Sequence, residues 1–279
     1  MMLLQFRMEV AEKKVVEEVG EYKMAIKILK KSDNKVKFVL SKATPELANA
    51  LRRAISFEVP VLAIEDVYFT KNSSALYDEI VAHRVGLIPL KGAKGYTLPD
   101  ECKCKGKGCA RCQTKAKLKV KGPATVLAKD LKFKDKSVKP VYPDMPIVKL
   151  LKNQELEFEA TATLGKGKEH SKWSSGLAFY QRYPSIYIGQ KDIKTPEKIV
   201  KLCPRNVYKT SGDRLVAENI LDCNLCMACV DETKGTINVG SEEGKFIFTI
   251  ESWGQLSPKA MLTNASKILK KQINGLKIR

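Results

Sequence analysis

All eight cysteines of this 279-residue chain fall into two sets of four. Cys102, Cys104, Cys109 and Cys112 lie in ECKCKGKGCARC, while Cys203, followed by Pro204, is joined by Cys223, Cys226 and Cys229 in LDCNLCMACVDE. Thiols so closely spaced read as disulfides in a secreted chain and as metal ligands in a reducing compartment. The start, MMLLQFRMEV, has neither a basic n-region nor a small-residue cleavage site, so metal binding in the cytoplasm is the expectation. The first set has the spacing C-x-C-x4-C-x2-C, with Gly106 and Gly108 allowing the backbone to fold around an ion. Four soft thiolates leave no position open for water, which is the chemistry of a closed, structural zinc site. The bland alternative is unligated thiols in a flexible loop.

The second set matches half of a two-cluster ferredoxin template. There each run reads C-x2-C-x2-C-x3-C-P, and the fourth cysteine of one run ligates the cluster held by the other. Cys203-Pro204 supplies such a fourth cysteine, and Cys223, Cys226 and Cys229 supply the other three. The companion cluster's cysteines would fall at Ile193, Pro196, Ile199 and Thr233, so its ligands are gone. One cluster is expected: [4Fe–4S], or [3Fe–4S] if one thiolate is unused. Four thiolates would also serve zinc. With no second cluster to relay electrons and no G-x-G-x-x-G fingerprint for a nucleotide cofactor, the cluster reads as a structural tie.

Other chemistry is sparse. The sequence has no G-x-x-x-x-G-K-[ST] phosphate cradle and only two histidines, His83 in an apolar, strand-like stretch and His170 in GKEHSKW, each read as a packed, hydrogen-bonded residue. Glu65-Asp66 and Asp78-Glu79 are adjacent, and neighbours on a strand point to opposite faces, so they make poor acid–base partners. No catalytic constellation emerges. The formal net charge of +19 is uneven: Lys91 to Pro140 holds 15 Lys and Arg against 4 Asp and Glu, and Ser257 to Arg279 holds 6 basic residues and no acid. Such fields favour a polyanion, or are simply solvated lysines. No apolar run approaches the roughly 20 residues that cross a membrane.

The elements that would position these groups can be read from pattern. KMAIKILK and VKFVL, joined by Ser32, Asp33 and Asn34, predict a hairpin over Tyr22 to Leu40. Thr44-Pro45 opens a helix whose apolar stripe is Leu47, Ala50, Leu51, Ala54 and Ile55. GKFIFTIESWG predicts a strand with Phe246, Phe248 and Ile250 on one side, and Ser257-Pro258 caps a helix carrying Met261, Leu262, Ala265, Ile268, Leu269 and Ile273 at helical spacing. Two strand-and-helix units at opposite ends suggest one discontinuous domain with the metal-bearing middle inserted. The residues between them alternate in the strand manner, as in KLKVKGPATVLAKDL and LEFEATATLG.

Three blocks then carry a resemblance. LANALRRAISFEVPVLAIEDVYFTKNSSALYDEIVAHRVGLIPL (47–90), GKEHSKW (167–173) and SPKAMLTNASKILKK, in that order, are similar to the D-subunit family of archaeal DNA-dependent RNA polymerase, counterparts of the bacterial alpha subunit and of the third-largest eukaryotic subunit. The resemblance implies an α+β fold with three parts. These are a discontinuous dimerisation domain (1–58 and 239–279), an inserted β-rich domain (59–185) holding the zinc-like loop at 102–112, and a ferredoxin-like iron–sulfur domain (186–238). It further implies an assembly platform that pairs with subunit L through Leu47, Leu51, Ile55, Leu262, Ile268 and Leu269, joins subunits N and P, and carries the two large catalytic subunits. Polymerisation itself would belong to residues on those other chains, and DNA would be met only through the complex. The four residues between Cys104 and Cys109 are one more than in the eukaryotic zinc loop. The rival readings are a ferredoxin-domain electron carrier and a free, basic nucleic-acid-binding protein.

Overall fold

The computed structural model describes residues 24–189, 193 and 195–276; the first two positions of the expected hairpin, Tyr22 and Lys23, lie outside them. The amino-terminal half runs β1 (Ala25–Lys31), β2 (Lys35–Ser41), α1 (Pro45–Arg53), a π turn (Ala54–Glu58), β3 (Val61–Asn72), α2 (Asp78–Gly86) and β4 (Leu90–Lys91). Next come β5 (Gln113–Lys121), β6 (Ala124–Leu127), β7 (Lys132–Phe133), β8 (Lys139–Pro140), β9 (Pro146–Leu150), β10 (Glu155–Gly165) and β11 (Gly176–Ile188). The chain ends with α3 (Pro196–Leu202), β12 (Tyr208–Ser211), β13 (Arg214–Ala217), α4 (Ala228–Glu232), β14 (Ile237–Ser252) and α5 (Pro258–Asn274). No helix among the described residues is long and apolar enough to cross a membrane.

The chain divides into two compact units. The first comprises Met1–Leu29, Lys37–Ala48 and Tyr180–Phe248. Its main sheet has the order β1-β2-β14-β11, and a small β12-β13 hairpin stands apart from it. The expected hairpin is present, with Ser32 N–H donating to the Lys35 carbonyl at 2.7 Å across the turn. Phe38 and Phe248 are buried and stack on neighbouring strands with ring centroids 5.4 Å apart. The strand expected to bury one side buries both: Phe246, Ile247, Phe248, Thr249 and Ile250 are all buried. A strand inside a sheet that is covered on two faces loses its alternation.

The second unit comprises Lys30–Val36, Asn49–Phe179 and Thr249–Arg279. Its six-stranded sheet has the order β7-β5-β10-β3-β4-β8, with β6 and β9 paired separately. A core of Leu62, Ile64, Val85, Leu118, Leu156 and Phe158 lies against it. On its outer face the register Lys117↔Glu159, Lys119↔Glu157 and Lys121↔Glu155 puts each β5 lysine opposite a β10 glutamate. Lys119 reaches Glu157 at 2.6 Å, Lys117 pairs with Glu159, and Lys71 reaches Glu155 at 2.8 Å. Part of the basic field read from the sequence is therefore neutralised within the chain, although such solvent-exposed pairs add little to stability.

Asp78 and Glu79, read from the sequence as strand residues, open α2 instead, and His83 is exposed on that helix. Thr44 Oγ1 accepts from Leu47 N–H at 3.3 Å and starts α1 as expected. The buried stripe, however, begins at Ala48, whereas Leu47 is exposed. Beyond α1 the helix widens into the π turn, closed by Val59 N–H on the Ala54 carbonyl at 3.2 Å. A π turn leaves carbonyls that the i→i+4 ladder does not serve, and buried carbonyls need donors. Ser175 Oγ, fully buried, donates to the Ile55 carbonyl at 3.0 Å, and Lys168 N–H donates to the Phe57 carbonyl at 3.1 Å. GKEHSKW and the serines after it thus hold the turn open. Ser175→Ala strands that carbonyl and is expected to cost about 1–3 kcal/mol, read as a lower urea midpoint; no change would show that another donor takes over.

Candidate metal centres

The first centre is a loop that the backbone folds onto itself before β5 begins. Lys105, Gly106 and Gly108 take positive φ (52°, 76° and 87°), and Lys105 N–H and Lys107 N–H donate to the carbonyls of Cys102 and Cys104. Thr97 N–H donates to the Arg111 carbonyl at 2.8 Å and ties the loop's base. The four sulfurs consequently converge, all lying within 4.8 Å of one another. Cys102–Cys104, Cys104–Cys112, Cys102–Cys109 and Cys109–Cys112 stand at 3.4, 3.5, 3.6 and 3.8 Å. Four thiolates about 2.3 Å from one ion define a tetrahedron of edge about 3.8 Å, so the cage has the size for a single tetrahedral ion. Cys109 N–H also donates to the Cys112 sulfur at 3.2 Å, a backbone contact that favours thiolate there.

Protons oppose the cage when no cation is present. Burial pushes the Cys112 thiol up to about 12, while hydrogen bonding with Cys102 brings the Cys104 thiol down to about 6. Gathering four thiolates sets like charges side by side, and a divalent cation offsets that repulsion.

The second centre gathers groups from a longer stretch. Cys203 follows the end of α3, its N–H bonded to the Ile199 carbonyl at 3.2 Å, and Cys229 sits buried in α4. Cys223 is buried and Cys226 is exposed. Gln181 holds the backbone that leads into Cys223, its Nε2 donating to the carbonyls of Leu221 and Cys223 at 3.2 and 3.3 Å. Leu225 and Met227, the residues between the thiols, take left-handed φ of 58° and 65°. Non-glycine residues avoid that region, and alternating right- and left-handed backbone turns N–H groups inward into an anion-binding nest. Leu225 N–H accordingly points at the Cys223 sulfur, 3.5 Å away.

Around these thiols lie Ile199, Val207, Tyr208, Leu215, Ile237 and Val239, all buried. Tyr208 O–H donates to the Cys229 sulfur at 3.2 Å, and burial followed by that bond pushes the Tyr208 phenol up. Burial, with the charges of Cys229, Cys203 and Cys226, pushes the Cys223 thiol up as well. Among the described residues only the first set has all its sulfurs within 4.8 Å of one another; the second is not brought together to that degree.

Two comparisons bear on what carries these cages. Residues 67–177 match the family model described as the RNA polymerase Rpb3/RpoA insert domain, a span that includes the first thiol set. The DNA-directed RNA polymerase subunit Rpo3 of Methanosphaera stadtmanae is 40% identical over 263 residues, 91% of this chain and 97% of the relative. That of Methanothermobacter thermautotrophicus is 41% identical over 253 residues (88% and 95%), and that of Archaeoglobus fulgidus 34% over 247 residues (88% and 93%). The chain belongs to the Rpo3 family of DNA-directed RNA polymerase subunits. As a family member it is a transcription subunit that works within the DNA-directed RNA polymerase complex, and its own fold mixes helices with β-rich sheets.

Within this Rpo3-family fold, the positions expected at a partner interface differ in exposure. Leu47 is exposed, Leu262, Ile268 and Leu269 are half-buried, and Leu51 and Ile55 are buried by the chain's own core. Tyr208 escaped the sequence reading because its signal is indirect. VYKTSGDRLVA, with Gly212-Asp213 at its turn, is a hairpin pattern that places an aromatic residue beside the thiols.

Proposed function

We propose that this chain is a non-catalytic platform subunit of RNA polymerase that pairs with subunit L, joins subunits N and P, and receives the large catalytic subunits. It acts in the cytoplasm and meets DNA only through the complex. The dimerisation domain is 1–58 with 239–279, the inserted domain 59–185, and the iron–sulfur domain 186–238. The observation that carries the reading is α5. It is capped by Ser257 Oγ on Ala260 N–H at 3.3 Å and packs on the π turn through buried Met261 and Ala265. Leu262, Ile268 and Leu269 remain half-covered, and Ile273 is 66% exposed. Apolar side chains left open at helical spacing suit an obligate interface, in which a helical face is covered by another polypeptide. Co-expression with subunit L is expected to yield a heterodimer by native mass, and Leu269→Asp with Ile273→Asp to abolish it. A stable pair formed by that variant would defeat this choice of face.

Cys203, Cys223, Cys226 and Cys229 would hold one iron–sulfur cluster, [4Fe–4S] with four thiolates or [3Fe–4S] with three. The Leu225 and Tyr208 contacts are hydrogen bonds to sulfur of the kind that such clusters accept. Cys102, Cys104, Cys109 and Cys112 would hold zinc. Both groups would supply cross-links that couple metal binding to the folding of their loops. Because zinc competes with protons for these sulfurs, its affinity should fall with pH, and steeply as Cys104 regains its proton near 6. Release to a chromogenic chelator between pH 8 and pH 5 would measure this; release independent of pH would contradict thiolate ligation.

A further inference from the structure

We propose that a lysine-rimmed groove on the second unit binds an acidic peptide segment of a protein partner, one that sets an apolar side chain between carboxylates. The groove, about 520 Å³, is rimmed by Lys91, Lys129, Lys136 and Lys139 and floored by Leu131, Phe133 and Val138. Lys129 is held by Asp144 at 2.8 Å, but Lys91, Lys136 and Lys139 are exposed and make no ion pair among the described residues. Nearby carboxylates are already engaged. Asp135 accepts from Tyr96 O–H at 2.6 Å and Ser137 N–H at 2.8 Å, and Asp130 accepts from Leu127 N–H at 2.8 Å.

The cations are also displayed at a cost. Lys91 and Lys139 stand directly opposite in the β4–β8 pair, where like charges repel. Their frame is rigid: Gly92, at φ +103°, lies so close that a Cβ would come 2.3 Å from the Ser137 carbonyl oxygen. Val138 is buried, and Val141 N–H bonds the Pro89 carbonyl at 2.9 Å. A preformed cationic rim loses little entropy on binding an anionic segment. Pro140 on edge strand β8 offers no N–H, so an added strand is disfavoured and recognition falls to side chains.

Nucleic acid fits less well. A single DNA-binding module covers roughly 600–1,000 Å² of protein surface. On the outer face of β5, Lys117 and Lys119 are spent on Glu159 and Glu157, which leaves Lys115 and, on β7, Lys132 as scattered exposed cations rather than a continuous phosphate-tracking row. The apolar floor, in turn, has nothing to offer a phosphate.

The test is fluorescence anisotropy on the full chain, with a short labelled peptide of alternating glutamate and leucine and, separately, an oligothymidylate of equal charge. The peptide should bind in a salt-sensitive way, and Lys91→Glu with Lys139→Glu should weaken it by about tenfold or more. Lys91→Gln with Lys139→Gln should fall between. Lys152→Glu with Lys270→Glu, an equal charge change away from the groove lining, should leave it within about twofold. Absence of peptide binding, equal losses in both charge-reversed pairs, or oligothymidylate binding at or above the peptide's affinity would each overturn the proposal. Unfolding midpoints of the variants separate lost binding from lost fold.

Discussion

On the proposed iron–sulfur ligation, Cys229→Ser is expected to remove the visible sulfur-to-iron absorption of the purified chain, to abolish its iron and sulfide content, and to destabilise the first unit. Cys229 is the most constrained of the four thiols: buried in α4, approached by Tyr208 O–H at 3.2 Å, with its carbonyl taken by Thr233 Oγ1 at 2.7 Å. A serine there leaves Tyr208 beside a poorer ligand in a dry site. The tie lost spans the 20 residues from Cys203 to Cys223. A cross-link closing a loop of that size is worth roughly 3 kcal/mol through the unfolded chain. Cys226, exposed, is the thiolate the cage can best do without. Cys226→Ser should therefore keep iron and shift the electron paramagnetic signature towards a three-iron core. Iron and sulfide content equal to wild type in Cys229→Ser would remove it from the ligand set.

The two thiol sets differ in how far the sequence discloses them. For the first, spacing alone is informative: with Gly106 and Gly108 inside an eleven-residue run, four sulfurs can hardly avoid one another, and they converge. For the second, Cys203 joins the others through α3 and the β12-β13 hairpin, so only a template connects them in advance. Caps were equally legible, since Thr44 and Ser257 act through their own next turn. The π turn was not, because its stability comes from Ser175, which lies 120 residues away. Nor was the neutralisation of the basic segment. Lys117 and Lys119 meet Glu159 and Glu157 only through the β5–β10 register, which depends on pairing across some 40 residues. Helix α2 was missed for a subtler reason: its core side holds only Val81 and Val85, while Ile80 and Leu87 are exposed, so the periodicity is blurred.

The largest purely structural effect should come from Phe248→Ala. Phe248 is fully buried in β14, stacked on Phe38 at 5.4 Å and 9° and on Tyr180 at 5.2 Å and 28°, while Tyr180 meets Phe246 edge-on at 5.4 Å. Three of the four strands in the order β1-β2-β14-β11 thus meet through this ring. Truncation removes its transfer free energy, leaves a cavity that flanking strands cannot close without breaking their ladder, and costs about 3–5 kcal/mol. Each lost aromatic pair adds about 0.5–1.5 kcal/mol. Against a domain stability of about 5–15 kcal/mol, such a loss approaches unfolding. Phe248→Leu, which retains most of the volume, should lose far less. β14 also begins with Ile237 and Val239 in the apolar shell of the second thiol set. Loosening the strand should therefore speed iron loss even though no ligand has changed. Urea unfolding followed by circular dichroism, alongside iron release to a chelator, would measure both. A shift below about 1 kcal/mol would mean that the aromatic stack is not what joins these strands.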